Sequence, residues 1–332
     1  MPLRAVAGHR HLLELLSRAV ERESLPPSVI FTGPEGVGKR LTAIALAQLL
    51  NCPTPVPAEG LVRDACGICA SCKRIARGVH SDVILIEPGE TGSIKVDRIR
   101  DAVEKAAYRP FEGRRRVVII DQADAVLVEA QNALLKTLEE PPSASSFVLV
   151  TSTPDVLLPT VRSRCQQVRF GRLDAADIAS VLMTSHDYDE TSAHAAASAA
   201  DGSVGAALAG GSDEVAAARE AAASLLQGVA ASTDPRRRLE SAKVLVGSSD
   251  RDELARRLRA LASLIRDCGV LLTRADERCL ANADMKPLLG GVVGAFDGDR
   301  TVRAFSAVDQ AIAALERNAS PKIVADWVAF QI

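Results

Sequence analysis

The chain has 332 residues, of which 47% are hydrophobic, 25% charged and 3% aromatic, and its formal net charge is -2. This length supports two or three domains, and the balance is that of an ordinary soluble globular protein. The near-neutral charge excludes a protein that neutralises many phosphates over its whole surface, while leaving room for a local basic patch. No run of about eighteen apolar residues exists, so no membrane span is expected. The first residues, MPLRAVAGHRHLLELL, lack the charged-then-apolar form of a secretory signal, and the expected compartment is the cytoplasm.

Along the first half, short apolar runs at 28–32 (SVIFT), 82–87 (DVILIE), 116–121 (RVVIID) and 146–151 (SFVLVT) have the length and β-branched content of buried strands. Between them, 39–50, 96–107 and 126–140 carry helical periodicity, and Pro141–Pro142 ends the last of these, because proline lacks the amide hydrogen a helix needs. Strand–helix alternation predicts an α/β domain: a parallel sheet with helices on both faces. After Phe170 the strand signals fade. The Ala-rich segment 171–211 predicts a small helical lid ending in a hinge at Gly210–Gly211, and 212–332 a helical C-terminal domain. The expected pieces are therefore 1–170, with an insert at about 52–72, then 171–211 and 212–332.

Gly33-Pro-Glu-Gly36-Val-Gly38-Lys39 follows the first strand and precedes a helix, the context in which glycines let backbone N–H groups wrap a phosphate. A working loop has Ser or Thr after the lysine, to hold magnesium; here it is Arg40, which has no lone pair for a cation. Thr42 is two residues on and points to another helix face. The strand 117–120 runs into Asp121, which matches a Walker B element, though an acidic residue at a strand end also serves as a plain cap. The next residue, where ring ATPases place a water-activating glutamate, is Gln122, which cannot accept a proton. Gly33, Gly36, Gly38, Lys39 and Asp121 thus form a vestigial nucleotide site, expected to hydrolyse nothing even if ATP binds.

Seven cysteines are present, and Cys52, Cys66, Cys69 and Cys72 follow the spacing C-x13-C-x2-C-x2-C. Two-residue spacers let successive thiolates converge on one ion, and four sulfurs complete a closed tetrahedral zinc site of structural type. Cys165, Cys268 and Cys279 are isolated and read as plain buried residues.

The stretch 131–142, QNALLKTLEEPP, closely resembles the loader subunits of bacterial DNA polymerase III and their relatives in archaea and eukaryotes. The resemblance continues through Thr151-Ser-Thr-Pro154, similar to the sensor-1 segment, and through Arg162-Ser163-Arg164-Cys165, similar to the Ser-Arg-Cys motif. It covers 8–170, about half of the chain, and includes the cysteine insert. It implies an AAA+ P-loop domain, a lid and a helical collar joining a five-membered ring. The partners it implies are gamma/tau and delta loader subunits, and through them the sliding clamp and primer-template DNA. Hydrolysing members keep a sensor-2 arginine in the lid; here Gly205 stands at that place in Gly202-Ser-Val-Gly205. Arg40, Gln122 and Gly205 depart in one direction, toward the non-hydrolysing type of subunit. In such a ring Arg164 is implied to be an arginine finger acting in trans on a neighbour's γ-phosphate. Two other readings are an ATP-hydrolysing gamma/tau-type subunit and a zinc-dependent nucleic-acid-binding protein with a vestigial P-loop. Absent catalytic groups oppose the first, and the near-neutral charge and few aromatics oppose the second.

Overall fold

Three of the apolar runs become the inner strands of a parallel sheet, buried on both faces, and the fourth, at 82–87, becomes a partly buried edge strand. The computed structural model describes residues 1–89, 91–200, 202–209, 212–232, 234–246, 251–274, 280–316 and 319–332. Cys279 and the hinge expected at Gly210–Gly211 lie outside these residues. The chain divides into two compact units, Met1–Asp177 with Ser203–Gly205, and Ile178–Gly202 with Ala206–Ile332.

In the first unit the elements run α1 (Arg10–Glu21), β1 (Ser28–Thr32), α2 (Lys39–Asn51), β2 (Val56–Ala58), β3 (Leu61–Asp64), α3 (Ala70–Ala76) and β4 (Val83–Ile86). They continue with α4 (Val96–Ala107), β5 (Arg116–Ile120), α5 (Val128–Glu139), β6 (Ser145–Thr151), α6 (Pro159–Arg162) and β7 (Gln166–Arg169). The sheet order is β4-β5-β6-β1-β7, with every pairing parallel. This is the parallel α/β sheet with helices on both faces expected above. Strand residues alternate between two cores, as a period of two requires. Val29, Phe31, Val117, Ile119, Val148 and Val150 face Leu46 and Leu50 of α2 and Leu16 of α1. Ile30, Val118, Ile120, Phe147 and Leu149 face Ile99 of α4 and Leu134 and Leu138 of α5. The helix expected at 126–140 begins later, at Val128, behind a one-turn 3-10 segment at Ala123–Ala125.

Two features lay outside the sequence expectations. The edge strand β7 has the sequence QQVR and is largely exposed, so it carries no buried-strand signal; its pairing with β1 supplies its conformation. The insert contains an antiparallel pair, β2 with β3, followed by the short α3.

The second unit is helical among the described residues, from α7 (Ala175–Ser185), which begins in the first unit, through α8 (Glu190–Ala199), α9 (Val204–Ala209), whose first two residues also belong to the first unit, α10 (Ser212–Ala231), α11 (Pro235–Val246), α12 (Arg251–Leu272), α13 (Lys286–Val292) and α14 (Gly298–Glu316) to α15 (Pro321–Gln331). Leu225, Leu226, Leu258, Leu261, Ile265, Val308 and Val328 form its main core. Beside that core the buried Asp267 accepts hydrogen bonds from the backbone N–H groups of Ala281 and Asn282. No described helix is long and apolar enough to cross a membrane.

Asp82, at the entry to β4, organises the loop that precedes β5. Its fully buried carboxylate accepts from the N–H groups of Phe111, Glu112 and Gly113 at 2.7–2.8 Å and from Arg116 Nη2 at 2.7 Å. Burial alone would raise its pKa, but Arg116 and the three amides outweigh burial and hold it well below the ordinary carboxylate range. Removing one partner of such a buried pair leaves the other uncompensated, so Asp82→Ala is expected to lower unfolding free energy by about 3–5 kcal/mol in denaturant titration. Because the folded value is depressed, this stabilisation is complete above the ordinary Asp range, about pH 4, and is lost as pH falls below it toward the folded value. The gap between wild type and variant should therefore narrow in acid; a gap that stays constant from pH 7 to pH 3 would contradict the assignment.

Candidate functional site

Loops leaving the C-terminal ends of β1 and β5 meet where an open parallel sheet binds ligands, outside the carboxyl ends of its strands. The β1 loop turns through Gly33, Gly36 and Gly38, whose φ values of 141°, 72° and 96° are open to glycine and strained for other residues. A Cβ on Gly33 would lie 2.3 Å from the carbonyl oxygen of Phe170, which follows β7. The loop then feeds α2 with Gly38 as its N-cap, so the expected strand–loop–helix geometry is present.

The side chains that fill that geometry are paired with groups of the chain itself. Lys39 is 6% exposed, and its Nζ donates to the loop's own carbonyls, Gly33 O at 2.7 Å and Pro34 O at 2.6 Å. Burial lowers its pKa, against the opposing pull of Glu35, Asp121 and Asp124. The guanidinium of Arg40 lies between two carboxylates, with Nη1 2.5 Å from Glu87 Oε1 and 3.2 Å from Asp121 Oδ2. Burial raises the pKa of Asp121 above its ordinary value, although Arg40 and the Gln122 amide, which donates to Oδ1 at 3.0 Å, act against this. Thr42 donates to Gly38 O at 2.9 Å and is turned into its own helix. Gln122 is exposed, with a left-handed backbone.

The loop's tip is also capped. Gly205 N–H donates to Gly36 O at 3.1 Å, and a Cβ on Gly205 would lie 2.9 Å from Gly36 Cα. Glycine at 205 therefore permits this close backbone approach within the first unit.

The motif 131–142 contributes structure as well as resemblance. Gln131, buried on α5, donates to Val126 O at 3.0 Å and accepts from Leu158 N–H at 2.8 Å, tying α5 to the segment before α6. At the end of β6, Thr151 Oγ1 donates to Asp124 Oδ1 at 2.6 Å, which links the sensor-1-like segment to the Asp121 strand. Arg164, just beyond α6, stands apart from the phosphate loop: it donates to Thr160 O at 3.0 Å and pairs with Glu139 Oε2 at 3.3 Å.

The four clustered cysteines converge. Their sulfurs all lie within 4.8 Å of one another, and a Zn–S bond of about 2.3 Å places tetrahedral sulfurs about 3.8 Å apart, so little movement is needed to close on an ion. Backbone N–H groups of Cys66, Cys69 and Cys72 donate to Cys52, Cys66 and Cys69 Sγ respectively, each at 3.4 Å. Burial pushes the Cys52 and Cys72 thiols up; at Cys66 it is outweighed by the Cys69 and Ile68 amides, which bring that thiol down to about 6. Asp64, at the end of β3, anchors this cluster to the N-terminus by accepting from the N–H groups of Leu3 and Arg4 at 2.9 Å. Cys165 and Cys268 are separate and buried, and burial raises their thiols to about 12 and about 11.

Sequence reasoning missed Glu87. Its signal was its position: in neighbouring parallel strands, the residue after β4 and the residue after β5 come out on the same sheet end, so Glu87 is a natural second partner for any cation held by Asp121.

Compared with known proteins, the chain matches the family model described as DNA polymerase III, delta subunit, over residues 8–174. It is 37% identical over 173 residues to DNA polymerase III subunit tau of Salmonella typhimurium, covering 52% of this chain and 26% of that protein. It is 42% identical over 136 residues to subunit delta' of Pseudomonas aeruginosa, covering 41% of this chain and 40% of that protein. The chain thus spans less than half the length of these curated relatives. Among solved structures, it is similar to a gamma-subunit-related protein of Thermotoga maritima with TM-score 0.39 and 18% identity, over 92% of this chain and 98% of the other. Similarity to the Thermotoga maritima RuvB Holliday junction branch migration motor has TM-score 0.43 and 15% identity, over 88% and 90%. With half of its length matched by that family, and with the loop, strand-end acid and Ser-Arg-Cys segment in place on a five-stranded parallel sheet, the chain belongs to the DNA polymerase III delta-subunit family.

Proposed function

We propose that this chain is the non-hydrolysing, delta-prime-type subunit of a polymerase III clamp loader, and that it serves its neighbours' chemistry through Arg164. The observation that carries this reading is Arg40 lodged between Glu87 and Asp121. The residue that should offer magnesium a hydroxyl brings a positive charge instead, and Gln122 supplies no base. Identity alone does not separate this type from gamma/tau, since relatives named tau match as well as one named delta'. The chemistry of positions 40 and 122 favours the non-hydrolysing type.

Arg164 suits action in trans. Its pair with Glu139 is partly exposed at 3.3 Å, and pairs of that kind are worth about 0–1 kcal/mol, so a neighbour's phosphate can recruit the guanidinium at small cost. The 1–170 domain, the 171–211 lid and the 212–332 collar would then build a ring with gamma/tau and delta subunits that places a sliding clamp on primer-template DNA in the cytoplasm. The cysteine cluster would hold one zinc ion structurally: four thiolates leave no position for water or substrate.

Three results are expected. Purified chain should release no phosphate from ATP above background, with or without primed DNA and clamp; turnover abolished by Lys39→Ala would contradict the reading. Metal analysis should find about one zinc per chain, and Cys69→Ser should release it and lower thermal stability; zinc-free protein prepared without chelator would rule the site out. Arg164→Ala should enter the assembled loader normally, as judged by gel filtration, yet slow its DNA-stimulated ATPase and clamp loading. A finger is worth about 10³–10⁵ at one site, diluted in the total by the remaining sites. Equal rates for wild-type and variant assemblies would leave Arg164 without the proposed role.

A further inference from the structure

The family implies magnesium and nucleotide at the loop, and the residues present do not fit that pair. A magnesium ion needs near-octahedral oxygen ligands at about 2.0–2.1 Å. Here the hydroxyl position of the P-loop is Arg40, Asp121 accepts from Arg40 and from the Gln122 amide, and Glu87 is paired 2.5 Å from the same guanidinium nitrogen. Several other groups of the loop are paired within the chain too. Lys39 holds Gly33 and Pro34 carbonyls, Thr42 holds Gly38, and Gly36 O is capped by Gly205 N–H.

We propose that Arg40 is a built-in cation that stands in for magnesium, clamping Glu87 to Asp121 and locking the loop in its folded form without any ligand. This rests on the non-hydrolysing reading and deepens it: the site is closed by its own residues, and the loss of turnover follows from occupation as well as from missing catalytic groups. The charge balance supports it. Two carboxylates at the ends of neighbouring strands would repel each other if both were ionised, one of them on a side chain only 11% exposed, and a single positive group between them relieves that repulsion. Arginine suits the position because its long side chain brings one guanidinium nitrogen to both carboxylates and its charge persists at every physiological pH.

The consequence is that shortening Arg40 should uncover a divalent-cation site made of Glu87 and Asp121. The test titrates Mn²⁺ into the full-length, zinc-loaded chain, followed by electron paramagnetic resonance, for wild type, Arg40→Ser and Arg40→Ser with Asp121→Asn. Arg40→Ser is expected to bind Mn²⁺ at least tenfold more tightly than wild type, and the added Asp121→Asn to abolish the gain. Wild type that binds Mn²⁺ as tightly as Arg40→Ser, in a manner lost on Asp121→Asn, overturns the proposal. A second measurement needs no variant at position 40: the thermal midpoint of wild type should be unchanged by millimolar Mg-ATP, since a ligand that does not bind the folded state adds no stability. A rise that Asp121→Asn removes overturns the lock even if Arg40→Ser fails to fold. Either failure leaves the non-hydrolysing reading to its own assay, phosphate release.

Discussion

The charge of Arg40 between Glu87 and Asp121 is the interaction on which the character of this chain depends. It exists because a parallel sheet delivers the C-terminal ends of β4 and β5 to the same edge, while the loop after β1 starts α2 beside them. The same geometry in a hydrolysing protein gathers magnesium, phosphate and water. One side chain at the start of α2 changes what that convergence can do.

Around it, the fold is held by buried carboxylates and amides at points where the chain must leave regular structure. Asp82 fixes the loop before β5, Asp64 fixes the N-terminus against the cysteine insert, and Asn51 Oδ1 accepts from the N–H groups of Arg114 and Arg115 at 2.9–3.0 Å. Each turns unpaired backbone donors into satisfied ones, which buried loops require. The sheet can then keep two apolar faces and leave its strand ends free for polar chemistry.

The sequence made the inner strands legible, because β1, β5 and β6 are buried on both sides and so appear as unbroken apolar runs. It also made the cysteine cluster legible, since thiols with two residues between them at Cys66, Cys69 and Cys72 converge by local geometry, and the missing hydroxyl at Arg40, since that position is defined by its neighbour Lys39. It was silent where structure depends on partners far along the chain. β7 is a strand because β1 pairs with it, and its QQVR sequence carries no period. Glu87 meets Arg40 across 47 positions of sequence, and Gly205 meets Gly36 across 169, so neither contact leaves a local trace. The close backbone approach that needs a glycine at 205 became visible only in three dimensions.

The central claim is that this chain contributes a residue to a neighbour's reaction while its own loop stays closed. The most direct measurement is a structure of the reconstituted loader on clamp and primed DNA, trapped with a non-hydrolysable ATP analogue and magnesium. The account predicts Arg164 released from Glu139 and within hydrogen-bond distance of a neighbouring subunit's γ-phosphate, with Arg40 still bridging Glu87 and Asp121. Magnesium and analogue seated in this chain's own loop, with Arg164 still paired to Glu139, would contradict it.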